Sequence, residues 1–358
     1  MAHRSEFSFG GLEGCTLLVV GGAGYIGSCV ALLALSSTRK CRVRVLDTLM
    51  YGGTSLFPFY TFDEGRFEYV SGDVRTVDFE ALLDGVDYVF NAAALVGEHI
   101  CKKYPREALE INQQATIALA QACAKSKSVK RYIFASTCSN YGKTTEFVDE
   151  GSAVDPLSLY AATKINVEQY LMNELADFPC TVLRFATIYG LAARVRFDLL
   201  VHEFIRDGWI DGNISIYGPG GWRPFLHVAD AARAVLQVCD RHDVVMTKRI
   251  FNVGSNEQNF QKETLGRIIQ ERLGCKVELV RKKQDPRSYR VNFKRIRDEL
   301  DFKCTHTLQK SVDDICTALE GGLVSIKELH ESVNVKMSDP IRNVPTGAGL
   351  KYAATSKL

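Results

Sequence analysis

Short apolar stretches alternate with longer helical ones over the first half of the chain. Thr16 to Val20 is apolar and suited to a strand, and a glycine-rich turn follows it. Ile26 to Leu35 then runs on as an apolar, Ala- and Leu-rich helix. Arg42 to Asp47 alternates as a second strand and ends on an acid. Phe67 to Val70 predicts a third strand and Val86 to Phe90 a fourth, ending at Gly72-Asp73 and at Asn91-Ala92-Ala93-Ala94. A long helix is expected over Pro105 to Lys125, a fifth strand over Arg131 to Ala135, a helix over Tyr160 to Leu175 and a sixth strand over Thr181 to Phe185. Brief, continuously apolar strands separated by helices predict an α/β fold, a doubly wound parallel sheet covered on both faces.

Beyond Gly190 the pattern loosens. Helices are expected over Leu199 to Ile205, Val228 to Cys239 and Glu263 to Leu273, with short strands over Ile214 to Tyr217 and Arg249 to Val253. We divide the chain into a sheet domain over 12–190, to which 221–255 return, and a smaller C-terminal cap over 191–220 and 256–334. From about Val335 periodicity disappears and small and polar residues dominate, so 335–358 reads as a flexible tail. It ends in Ser356-Lys357-Leu358, a peroxisome-type import address at a free C-terminus in a eukaryotic cell; without that reader the expectation is cytoplasmic.

Composition narrows the function classes. The 358 residues carry 44 Lys and Arg against 42 Asp and Glu, so bulk charge offers no reason to bind nucleic acid or a membrane surface. The apolar run Leu17 to Val20 is far too short to span a bilayer. The 11 cysteines are scattered, none in C-x-x-C spacing and none joined by histidine at metal-ligand distance. Most read as small buried hydrophobes in a reducing compartment, and no metal is expected.

Chemistry concentrates in two places. Gly21, Gly24 and Gly27 follow a strand and open a helix, the context in which such glycines cradle a dinucleotide pyrophosphate. That makes the sheet a Rossmann fold, with the helix N-terminus offering N–H groups and partial positive charge to the phosphates. Asp47, 20 residues after Gly27, is placed to accept from ribose hydroxyls and to repel a 2′-phosphate, which favours NAD over NADP. Arg42 and Arg44 on the same strand would work against that preference. Asp73 either meets the adenine or caps the helix after Val74. The second place comprises Ser136-Thr137, Tyr160 and Lys164. Tyr160 and Lys164, four apart, project from one helix face. A nearby ammonium lowers a phenol's pKa toward the range of a general base, and Thr137 can share hydrogen bonds with the oxygen being oxidised.

GGAGYIG (Gly21 to Gly27), Asp47, Gly72-Asp73, Asn91-Ala-Ala-Ala, Ser136-Thr137 with Tyr141-Gly142, Tyr160-Ala-Ala-Thr-Lys164, Arg184-Phe-Ala-Thr-Ile-Tyr-Gly190 and Arg223-Pro-Phe-Leu-His-Val-Ala-Asp230 occur in this order. From about residue 14 to about 310 the chain resembles the extended short-chain dehydrogenases/reductases of the nucleotide-sugar epimerase/dehydratase branch, notably UDP-glucose/UDP-galactose 4-epimerase-like proteins. The resemblance implies that Thr137, Tyr160 and Lys164 are catalytic. It implies that NAD lies along Gly21, Gly24, Tyr25, Ile26, Gly27, Asp47, Asp73, Val74, Ala92, Ala93, Asn112, Tyr160 and Lys164. It further implies that a nucleotide-diphosphate sugar meets Cys138, Ser139, Arg223 and Arg287, and that the enzyme is a homodimer. Epimerisation at C4 through a keto-sugar is the expected activity. A nucleotide-sugar reductase or dehydrogenase, or a 3,5-epimerase/dehydratase of the same family, is the alternative.

Two departures bear on the substrate, the first on the dehydratase alternative and the second, at Asp198, on UDP-galactose 4-epimerase itself. Family dehydratases resemble one another in having Thr-Asp-Glu where this chain has Thr137-Cys138-Ser139, so two acids are missing. Cys138 is then either an acid/base for a carbon-bound proton or a packed residue at a strand end. Glu98, His99 and Cys101 follow the fourth strand as further proton carriers or as plain loop residues. Asp198, near where an asparagine is common, would repel a diphosphate unless it pairs with Arg194 or Arg196.

Overall fold

The computed structural model describes residues 9–175, 177–241, 247–281, 287–331 and 351–352. Strand β1 (Thr16–Val20) is buried at all five positions, which only a strand covered on both faces can be. Its side chains alternate between two cores: Leu17 and Val19 join one, Leu18 and Val20 the other. The same division holds for β4 (Tyr88–Asn91), β5 (Arg131–Thr137) and β7 (Cys180–Phe185). With β2 (Arg42–Asp47), β3 (Phe67–Ser71) and β11 (Arg249–Val253) they form a seven-stranded parallel sheet in the order β11-β7-β5-β4-β1-β2-β3. The strand order reverses between β1 and β4, so a crevice opens at the carboxyl ends of the strands there.

Helices cover both faces. On one side lie α1 (Tyr25–Ser37) and α8 (Val228–Asp240), through Val30, Ala34, Ala231 and Val235. The other side carries α2 (Phe79–Leu83), α3 (Glu98–Lys103), α4 (Pro105–Leu109), α5 (Thr116–Lys125) and α6 (Leu159–Gln169). The expected single helix over 105–125 is interrupted: Glu110–Ala115 form a π-turn between α4 and α5. The wider turn accommodates an extra residue and carries Asn112 fully inward, a placement that apolar periodicity alone does not predict. A second π-turn, Tyr170–Glu174, closes α6.

The smaller half is built from β8 (Thr187–Tyr189), α7 (Leu200–Ile210), β9 (Asn213–Tyr217), β10 (Trp222–His227), β12 (Asn259–Gln261), α9 (Lys262–Leu273), β13 (Lys276–Val280) and α11 (Leu308–Glu320). Phe197, Val201, Ile205, Ile214, Leu265 and Ile315 share its core. Residues 222–227 do not return to the main sheet; β10 pairs with β8 and β12 in a separate three-stranded sheet, and the return begins with α8. Strand β6 (Lys143–Val148) leaves the sheet half to pair with β14 (Ser288–Val291), α10 (Lys294–Leu300) follows, and α12 (Ile326–Glu331) is the last of the described helices. Of the expected tail, Lys351–Tyr352 (β15) add a short antiparallel edge to β3. The rest of it, with Ser356-Lys357-Leu358, lies outside the described residues. Among the described residues no helix is long and apolar enough to cross a membrane, and no group of three His, Cys, Asp or Glu is disposed to hold a metal ion.

Candidate active site

A cavity of about 520 Å³ occupies the crevice, walled by the sheet's carboxyl ends below and the smaller half above. Gly21 sits where β1 turns, at φ +80°, and a Cβ there would come within 2.8 Å of the Ala93 backbone nitrogen. A Cβ on Gly27 would strike the Gly21 carbonyl and come 2.8 Å from Gly22 Cα. Glycine at these positions therefore lets the turn close against the end of β4, beside Ala92 and Ala93. The N-terminus of α1 has no side-chain cap and no acid in its first turn, while Gly24, Tyr25, Ile26 and Gly27 line the cavity. Such an end fits the pyrophosphate of a dinucleotide.

Asp47 lies at the end of β2 beside this loop. Its Oδ2 accepts from Ala23 N at 3.0 Å and its Oδ1 from Leu49 N at 2.8 Å. Burial pushes its carboxyl up, and these backbone donors oppose the shift. Arg42 and Arg44, on the same strand, are engaged elsewhere. Arg42 donates to Thr16 Oγ1 at 3.1 Å, and Arg44 pairs with Glu68 at 2.6 Å. Asp73 and Val74 line the cavity, with Asp73 paired to Arg75 at 2.6 Å. The cap expected of Asp73 is made instead by Asp78, which accepts from Glu80 N at 2.9 Å. Asn112 does not line the cavity. It clasps the wall from behind, accepting from Leu95 N at 2.8 Å and donating to Leu95 O at 3.0 Å.

Thr137 ends β5, and α6, capped by Ser158 Oγ on Ala161 N at 3.2 Å, brings Tyr160 and Lys164 to the same wall. Thr137 Oγ1 accepts from Ser139 N at 3.1 Å and shares a proton with Ser139 Oγ at 2.9 Å. Lys164 Nζ donates to Ala135 O at 2.8 Å and lies 5.8 Å from the centre of the Tyr160 ring. The expected lowering of the phenol is not what the protein alone produces. Burial dominates and pushes Tyr160 up, against a smaller opposing pull from Arg196, while it draws Lys164 down to about 8. One turn below, Glu168 receives Arg184 at 2.6 Å, Asn140 at 2.8 Å and the Ser136 hydroxyl, all buried. Its position four residues after Lys164 on the same helix face is the one sequence signal for it.

Cys138 is not at the substrate wall. Its thiol faces the core and donates to Arg184 O at 3.1 Å, and burial pushes its pKa up, so it is a packed residue at the strand end. Cys101 likewise points inward and donates to Leu95 O at 3.2 Å. Ser139 does line the cavity, as do Glu98 and His99, which are exposed at its rim. Arg223 and Arg287 line the cavity too; the Arg223 guanidinium donates to the Trp222 and Arg287 carbonyls and lies 5.3 Å from the Tyr289 ring. Asp198 is held by Arg196 in a two-pronged pair at 3.0 and 2.9 Å, which removes its repulsion toward a phosphate. Tyr51, His202 and Glu203 were not singled out from sequence, since nothing local marks them.

Known proteins agree with this geometry. Residues 17–254 match the model of the NAD dependent epimerase/dehydratase family. The uncharacterized UDP-glucose epimerase YtcB of Bacillus subtilis is 30% identical over 259 residues, 68% of this chain and 77% of that protein. The UDP-glucose 4-epimerase of Corynebacterium glutamicum is 26% identical over 83% of this chain and 94% of its own. The structure of MoeE5 in complex with UDP-glucuronic acid and NAD, 26% identical, superposes with a TM-score of 0.70 over 83% of this chain and 96% of that one. With its glycine cradle, Asp47 and the Thr137, Tyr160 and Lys164 wall, this chain belongs to the NAD dependent epimerase/dehydratase family.

Proposed function

We propose that the protein epimerises a nucleotide-diphosphate sugar at C4 through a keto-sugar. The observation that carries this reading is the convergence of Thr137, Tyr160 and Lys164 on one cavity wall between the glycine cradle and Arg223. NAD, when bound, supplies a reversible hydride acceptor. Thr137 and Ser139 orient the sugar hydroxyl, and Tyr160 removes its proton and later returns it. Lys164 holds the cofactor ribose and favours the phenolate. Arg223, with Arg287, grips the diphosphate through charge-assisted bonds. Inversion requires the keto-sugar to turn over between proton removal and return while its diphosphate stays held. The relatives named as UDP-glucose epimerases support a uridine nucleotide. The dehydratase and 3,5-epimerase readings lose support because Cys138 faces the core.

NMR of the protein with NAD and a panel of UDP-sugars should show a C4 stereoisomer without net NADH. Net NADH with a keto or acid product would instead establish the dehydrogenase alternative. Tyr160→Phe should lower turnover by about 10²- to 10⁴-fold while NAD still binds; a loss of only a few-fold removes Tyr160 from the proton transfer. We also propose a homodimer through the α4–α6 face, where Leu109 is exposed; a light-scattering mass of one chain would overturn it.

A further inference from the structure

The segment from Gly190 to Asp198 leads from the sheet half to α7 and brings Arg196 to the cavity that Tyr160 lines. One imidazole ties down both the start of the segment and the Arg196 backbone. Gly190 N donates to His202 Nε2 at 3.0 Å, so the imidazole proton lies on Nδ1, which donates to the Arg196 carbonyl at 2.6 Å. His202 is fully buried, and burial draws its pKa down to about 4, so this neutral tautomer persists at working pH.

The buried Arg196 side chain is held as firmly. Asp198 takes its Nε and Nη2, at 3.0 and 2.9 Å, along one edge of the guanidinium. Among the described residues no group accepts from Nη1, on the remaining edge. Burial pushes the Tyr160 phenol up, Arg196 pulls it down, and Asp198 exerts no matching push, so the pair turns its cationic end to Tyr160. The effect is mutual. Burial works against the Arg196 charge, but Asp198, with Tyr51 and Tyr160, holds the guanidinium above its ordinary value.

The other groups around Tyr160 supply no lasting positive charge. Lys164, on the same helix, donates to the Ala135 carbonyl, and burial draws it down to about 8, so it loses its proton in the range where a phenolate must form. Cys101 on α3 and Tyr289 on β14 also act on Tyr160, and they oppose a phenolate only when ionised. Burial holds the Cys101 thiol up at about 11. A guanidinium, by contrast, stays charged throughout the working range.

We infer that Arg196 is a positioning residue for the proton transfer, anchored by Asp198 and His202 so that its guanidinium serves as the permanent cation beside the Tyr160 phenolate. The inference rests on Tyr160 as the proton carrier of the proposed reaction, but its test reads ionisation and needs no turnover.

The NAD-bound protein is labelled with carbon-13 at tyrosine Cζ, the Tyr160 signal is assigned by its loss in Tyr160→Phe, and its shift is followed against pH. Removing a favourable cation raises a phenol's pKa, so Arg196→Met should raise that of Tyr160 by about 1 unit, a tenfold loss of phenolate at fixed pH. Arg196→Lys, which keeps the charge, should recover most of that shift. Asp198→Asn should leave the Tyr160 pKa unchanged or lower it. A purely structural role for the pair predicts otherwise, because either change breaks the same two bonds and would move Tyr160 alike. A rise under half the expected size in Arg196→Met overturns the assignment, as does an equal rise in Asp198→Asn or in Arg196→Lys. A parent Tyr160 that stays protonated to about pH 11 overturns it as well. Should Arg196→Met not fold, the double change with Asp198→Asn, which strands neither partner, is read by the same criterion. Failure of the epimerase reading would show instead as the absence of a C4 stereoisomer, with the Tyr160 titration as expected.

Discussion

Lys164 is almost completely buried, and its ammonium finds the Ala135 carbonyl and, among the described residues, no carboxylate at ion-pair distance. A lysine whose folded pKa lies below the unfolded one carries a penalty wherever it is charged. Here burial draws it from 10.5 to about 8, so the folded state is penalised below pH 8 by up to roughly 3 kcal/mol, and the penalty fades as pH rises toward 10.5. Lys164→Met should therefore abolish turnover and raise the unliganded protein's stability by about 1–3 kcal/mol at pH 7. Thermal melts at pH 7 and pH 10 check this: the gain must shrink at the higher pH, and a gain of equal size at both would sink the electrostatic account. At this scale the gathering of Gly21, Asp47, Thr137, Tyr160 and Lys164 around one cavity was legible, because the expected chemistry demands those residue types in that context. The orientations of Cys138 and Cys101 were not. A thiol suits a core as well as a site, and only the side of the strand or helix it occupies decides.

The element that presents Tyr160 and Lys164 is anchored one turn further on. Glu168 on α6 accepts from Arg184 on β7, which also donates to the Tyr141 hydroxyl at 2.9 Å, and Tyr141 in turn donates to Asn252 Oδ1 on β11 at 2.8 Å. The network joins α6 to the strands beneath it with its charges nearly dry. Removing one partner strands the other, so Glu168→Ala should cost about 3–5 kcal/mol of stability. Replacing both, as Glu168→Met with Arg184→Met, should cost much less than the single change. Denaturant melts of the three variants decide, and a single-variant loss under about 1 kcal/mol would show that the pair is replaceable by water. The parallel strands were legible, since β1 and β4 are short runs dominated by apolar residues, as strands covered on both faces require. The π-turn at Glu110–Ala115 was not. A single widened turn leaves the surrounding apolar period intact, and Asn112, which it carries inward, meets Leu95 far from it in the chain.

Across the whole molecule, nine of the eleven cysteines are buried, with Cys29 and Cys304 half-buried. Burial raises their thiols, pushing Cys29, Cys41 and Cys304 to about 12 and Cys101 to about 11. A group whose folded pKa lies above its unfolded value contributes stability that is present below the unfolded value, here 9.0, and is lost as pH climbs past it. The protein should therefore melt at lower temperature as pH rises from 8.5 to 10.5. A thiol reagent should modify no more than Cys29 and Cys304 before unfolding and all eleven after it. Rapid reaction of three or more in the native state would contradict the burial. The sequence by itself determined the doubly wound sheet, the glycine cradle, the acid at the end of β2 and the Tyr160–Lys164 pair. Each depends on backbone geometry and side-chain type within one strand, turn or helix, and leaves a local pattern. Only the tertiary structure decided that Asn112 acts through Leu95, that Cys138 faces Arg184 and that Asp198 is matched by Arg196. It alone set Arg194 on Tyr51, more than 140 residues earlier in the chain. Such meetings arise when packing cores close the crevice, and chain spacing carries no record of which side chains then come into contact.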